Sequence, residues 1–143
     1  MPNAVRRMLA VVAGLVVAVA VVLLGDFVAS RLWTPPSGTD LAGADGLRAA
    51  MASIPRRALV AVLLGWVAAA AAGAFVATRV SPARGRVHGH IVTVLLLAAT
   101  IANLLAIPHP AWVWVGAVVL IPVAGWLAAR AAASPEPVRP RHP

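Results

Sequence analysis

The chain has 143 residues, 62% of them hydrophobic and 11% charged, against about 45–50% and about 25% in soluble domains, which excludes a water-soluble globule and leaves room for one domain. The net charge of +8 comes from arginine alone, since lysine is absent; the arginines cluster at the ends of apolar runs, as determinants of membrane topology do, and are not read as a nucleic-acid footprint. There is no cysteine, so disulfides, thiolate metal sites and cysteine nucleophiles are excluded.

Arg6 and Arg7 precede Met8–Gly25, 18 residues without a charge. The apolar region of a secretory signal is usually about 7–15 residues. This run is longer, and Val28-Ala29-Ser30 is only a fair cleavage site, so it reads as a retained transmembrane helix over about 8–29. Residues 31–57 form the one long connection. Pro35-Pro36-Ser37-Gly38 ends the first helix. Asp45 is placed to cap a short helix over 46–53, and Pro55 stops it. Leu47, Met51 and Ile54 share one face, so this helix is expected to lie at the membrane surface.

The second span, 58–78, is the stretch around which the chain is organised. Its 21 residues carry no charge and are bracketed by Arg57 and Arg79. As a helix it is about 31 Å long, close to the thickness of a bilayer's hydrocarbon core. Gly65, Ala69, Gly73 and Ala77 recur every fourth residue and form a stripe of small side chains. Lipid supplies no hydrophobic force between helices, so such a stripe stabilises by letting two backbones approach closely. Packing within the monomer and packing across a homo-oligomer interface both satisfy it.

Arg79, Arg84 and Arg86 follow in a linker broken by Pro82 and Gly85. They read as topology determinants that also suit anionic lipid headgroups. His88 and His90 stand two apart, which on a helix points them to different faces, so they read as interfacial residues rather than a metal pair. The third span covers 87–107. Thr93, Thr100 and Asn103 share one face there and are expected to turn inward and hydrogen-bond a neighbouring helix. Pro108-His109-Pro110 makes a tight hairpin into the fourth span, 111–130. Pro122 inside it is tolerated in lipid, where neighbouring helices satisfy the freed carbonyl. The membrane domain is thus 1–133, and 134–143 is a proline- and arginine-rich tail expected to be disordered. The fold class is all-α: four transmembrane helices with one short interfacial helix.

Arginine counts give the orientation. With the N-terminus inside, Arg6, Arg7, Arg79, Arg84, Arg86, Arg130, Arg139 and Arg141 are internal, and Arg31, Arg48, Arg56 and Arg57 are external. Trp33, Trp112 and Trp114 then fall at the outer interface and Trp126 near the inner one. Both termini are expected to be cytoplasmic.

Asp26 is the one acidic residue inside an apolar span. An intramembrane carboxylate is costly, up to about 2.5–3.5 kcal/mol at mid-bilayer, and marks a candidate functional site. Its depth matches that of Asn103, with His109 just above, so the three form a candidate outward-facing polar site. The competing reading pairs Asp26 with Arg31, Arg56 or Arg57. No lipase, zinc-protease, P-loop or dinucleotide-binding pattern occurs, and no metal or cofactor is indicated.

DFVASRLWTPPSG at Asp26–Gly38, MASIP at Met51–Pro55 and IANLLAIPHPAWVW at Ile101–Trp114 resemble a widespread, uncharacterised family of small bacterial inner-membrane proteins with four predicted helices. The resemblance covers most of the chain outside the tail and is most specific in the IPHP-A-W-x-W stretch. It implies fold and location, and no activity. In similar sequences the position of Asp26 is often Glu and that of Ser30 often His; if the family uses a carboxylate–imidazole pair, this member is altered or relies on His109.

The first functional expectation is a non-enzymatic structural or accessory protein of the inner membrane, whose partners are the bilayer and a second copy or another membrane protein. The alternatives are a small transporter or channel component using Asp26, Asn103 and His109, and a lipid-handling protein or enzyme.

Overall fold

The computed structural model describes residues 3–39, 43–82 and 85–133. Arg84 and the tail 134–143 lie outside them. The fold is all-α, with α1 at Asn3–Leu32, α2 at Ala44–Ser53, α3 at Arg56–Val80, α4 at Val87–Ala106 and α5 at Ala111–Ala132. All but α2 are long and apolar enough to cross a membrane. The chain is therefore a multi-pass membrane protein by length and composition.

The spans lie where hydropathy puts them, but α1, α3 and α5 overrun the expected limits, while α4 ends one residue short of residue 107. The largest difference is α1, which begins at Asn3 rather than near residue 8 and runs 30 residues. Arg6 and Arg7 end the apolar run without ending the helix, because arginine is a good helix former. A second difference concerns α2. Its N-cap is Gly43, with no side-chain capping bond, and Asp45 lies inside the first turn. A carboxylate there still complements the helix dipole. It stands 3.4 Å from the Arg48 guanidinium, with both side chains exposed.

α3 is the centre of the bundle and touches α1, α4 and α5. Its partner α1 buries only Ala10, Gly14, Ala18 and Ala29, while Val12, Val16 and Leu23 on its other faces remain more than half exposed. That is the pattern of a helix with one small-residue seam and a lipid-facing remainder. The seam meets the α3 stripe antiparallel. A Cβ built on Gly25 would lie 3.0 Å from the Cα of Gly65, and one on Gly73 would lie 2.8 Å from the carbonyl oxygen of Gly14. Ala69 and Ala77 between and beyond these glycines are fully buried. The stripe is thus consumed inside the monomer.

Across the bundle, Thr93 packs against Gly125 of α5. Its hydroxyl donates to the Gly89 carbonyl at 2.9 Å. The expected bond to a neighbouring helix is replaced by one to its own preceding turn, the usual resort of a helical threonine. α5 continues unbroken through Pro122.

The antiparallel order brings Arg6, Arg7, Arg79, Arg86 and Arg130 to one end of the bundle. The opposite end holds Arg31, Arg48, Arg56, Arg57, Asp26 and Asp45, together with α2 and the 107–110 hairpin. There α2 sits against the bundle through Met51 and Ile54. The chain reaches it through a turn in which Thr39 donates both its backbone N–H and its hydroxyl to the Pro36 carbonyl. Gly38 adopts φ +87° at the third position of that turn, a conformation only glycine takes without strain.

Candidate functional site

At the end away from the arginine cluster, three helices and a hairpin enclose a cavity of about 360 Å³. Each helix contributes residues at helical spacing, so one face of each points inward. α1 supplies Val22 and Asp26, α3 supplies Val62 and Trp66, and α4 supplies Leu96, Thr100 and Asn103. Ile107 and His109 close it from the hairpin. Asp26, Asn103 and His109, from α1, α4 and the hairpin after it, line one space.

The carboxylate of Asp26 has no hydrogen bond or ion pair among the described residues, whose one ion pair is Asp45–Arg48. The arginines considered as its partners are engaged elsewhere or free of it. Arg31 lies over the Phe27 ring at 4.7 Å, and Arg56 over the Trp112 ring at 5.5 Å. Asp26 and Ala99 are exposed and Asn103 is half-buried, so the cavity opens sideways between α1 and α4. The side-chain amide of Asn103 has no partner among the described residues either.

His109 is fixed by its neighbourhood. Its Nδ1 stands 2.8 Å from the Ile107 carbonyl oxygen. A carbonyl only accepts, so Nδ1 carries the hydrogen, and in the neutral ring Nε2 keeps its lone pair. The Trp66 ring lies 5.9 Å from the imidazole, tilted by 58°. Trp66 is buried, at 6% exposure. A second cavity of about 290 Å³ under α2, lined in part by Ser30, Met51 and Ile54, shares Val62, Ile107 and His109 with the first. His109 therefore stands between the two.

Trp66 and Thr100 also line the site, although the sequence does not single them out as site residues. Trp66 stands in the apolar run of α3 and carries no signal of its own. Its four-residue offset from Val62 acquires meaning only once α1 and α4 are placed around it. Thr100 was visible on the polar face of α4.

The remaining expected positions lie elsewhere. Gly65, Ala69, Gly73 and Ala77 form the α1–α3 seam. At the other end Arg79 lies over the Phe75 ring at 5.4 Å, and Arg86 is exposed beside α4. Among the described residues no group of three or more His, Asp or Glu side chains is arranged to hold a metal ion.

Among the described residues the lining holds one carboxylate, with a side-chain amide, a hydroxyl, an imidazole and an indole, and no basic Arg side chain. That set suits a small cation bearing N–H donors or a quaternary ammonium group. No protein-family model, curated protein or solved structure matches the chain.

Proposed function

We propose that this protein is a non-enzymatic component of the bacterial inner membrane that binds a small organic cation in an outward-facing cavity, as a transporter or channel subunit does. The observation that carries the reading is a carboxylate without a partner among the described residues, Asp26, in one cavity with the Asn103 amide, likewise unpartnered among them, and the Nε2 side of His109. Retaining an unpaired carboxylate within a membrane span is costly and points to a use for the charge. The arginine balance supports cytoplasmic termini and an outward-facing site. The sequence resemblance in the Asp26–Gly38 and Ile101–Trp114 stretches supports the bacterial inner membrane.

The test is a thermal-shift series on the purified chain in detergent, with methylammonium, tetramethylammonium and choline. At least one should stabilise the wild type and leave Asp26→Asn unchanged. Equal responses of the two proteins, or none from either, would overturn the reading.

The lateral opening between α1 and α4 favours a second reading, an accessory protein whose Asp26 meets a basic side chain of a partner membrane helix. Cross-linking in native membranes separates the two. An adduct with another protein that disappears in Asp26→Asn supports the accessory role.

A further inference from the structure

The arginine-rich end carries a groove of about 760 Å³ that the proposed function does not use. It runs between the first turns of α1 and the start of α4, under the linker at Pro82 and Gly85. Its wall is apolar: Met8 and Val12 on α1 are 69% and 52% exposed, and Ile91 on α4 is 40% exposed. Arg7 and His88 are the polar side chains that line it.

Both are chemically unspent. Among the described residues Arg7, which is exposed, has no hydrogen bond, ion pair or ring contact, whereas Arg79 and Arg130 at the same end lie over Phe75 and Trp126. The Nδ1 of His88 is buried and lacks a partner among them. A buried orphan N–H costs more than a buried lone pair, so the hydrogen of the neutral ring belongs on Nε2. Nε2 also has no acceptor among the described residues. Two donors, one of them a permanent cation, therefore border an apolar channel. Among the described residues that end of the bundle holds no acidic group.

We propose that this groove is a specific site for an anionic phospholipid of the adjoining leaflet. Its phosphate sits at Arg7 and the Nε2–H of His88, and one acyl chain lies along Met8, Val12 and Ile91. The bilayer already bathes such a groove in acyl chains, and a basic pocket between membrane helices selects for a negative headgroup. The inference is independent of what the cavity at the opposite end binds.

Native mass spectrometry of the full chain released from detergent tests it, with phosphatidylglycerol against phosphatidylcholine of the same acyl chains. Wild type should retain phosphatidylglycerol preferentially, and inorganic phosphate should not displace it. Arg7→Gln should weaken retention about fivefold, roughly the pull of one arginine on an anionic lipid. Arg57→Gln at the opposite end should leave it unchanged, and His88→Gln should reduce it. Equal retention of the two lipids, or the same retention in Arg7→Gln and Arg57→Gln, would overturn the site. Displacement by inorganic phosphate would show a bare anion site and overturn the lipid assignment. Undiminished preference in His88→Gln would remove the imidazole from it.

Discussion

Gly14 of α1 and Gly73 of α3 are in reciprocal contact. A Cβ on Gly14 would lie 2.6 Å from the Gly73 carbonyl oxygen, and a Cβ on Gly73 would lie 2.8 Å from that of Gly14. Both obstacles are backbone, which cannot swing aside as a flexible side chain can. The seam therefore holds the two helices at a distance that only glycine permits.

Gly73→Leu should accordingly destabilise the bundle by about 1–3 kcal/mol or more, the usual penalty of overpacking. Thermal unfolding in detergent measures it. Val118→Leu, on a surface 45% exposed on α5, is the control and should be near neutral. Equal melting of the two variants would mean that α1 is not seated on the stripe.

The contact between α4 and α5 allows a compensation experiment. A methyl on Gly125 would collide with the side chain of Thr93. Gly125→Ala alone should lower the melting temperature, and adding Thr93→Ala, which removes the two nearer atoms and leaves the Thr93 Cβ at 2.9 Å, should restore part of it. Neighbours in contact couple in this way and distant residues do not. Additive losses in the double variant would contradict the packing described.

The absence of cysteine makes orientation measurable with single introduced thiols. Ser37→Cys, on the exposed turn before α2, should react with a membrane-impermeant maleimide in intact spheroplasts. Asn3→Cys should react only after permeabilisation. The opposite pattern would invert the bundle and place the Asp26 cavity on the cytoplasmic side.

Asp26→Asn should leave the fold intact. Because the carboxylate has no partner to lose among the described residues, its thermal unfolding should match wild type within about 1 kcal/mol, the scale of a single net hydrogen bond. A larger loss would reveal a structural partner and weaken the case for a binding site.

Much of this was legible in the sequence, for physical reasons that also mark where legibility ended. Apolar length between arginines is sufficient to place four spans, because a bilayer fixes the length a helix needs. The recurrence of Gly65, Ala69, Gly73 and Ala77 announces close packing, but its partner is not written in it. The matching seam of Ala10, Gly14 and Ala18 lies in a helix that reads as uniformly apolar. Asp26, Asn103 and His109 were linked by depth alone, since residues at equal depth on adjacent helices meet if their faces agree. Trp66 had no such marker. The Thr93 hydroxyl could equally serve a neighbour or its own helix, and the glycine opposite it decides for the latter by offering no side-chain acceptor.

The central claim is that Asp26 gives its cavity a preference for cations. Asn103→Cys, in this otherwise cysteine-free chain, places a thiol on the cavity wall. Its modification rates by aminoethyl and sulfonatoethyl methanethiosulfonate, with and without Asp26→Asn, measure the field directly. The ratio of cationic to anionic rates, divided by the same ratio for a free small thiol, should be about ten beside an unscreened carboxylate and should fall to about one in Asp26→Asn. A normalised ratio near one with Asp26 present, or one that survives its replacement, would contradict the account.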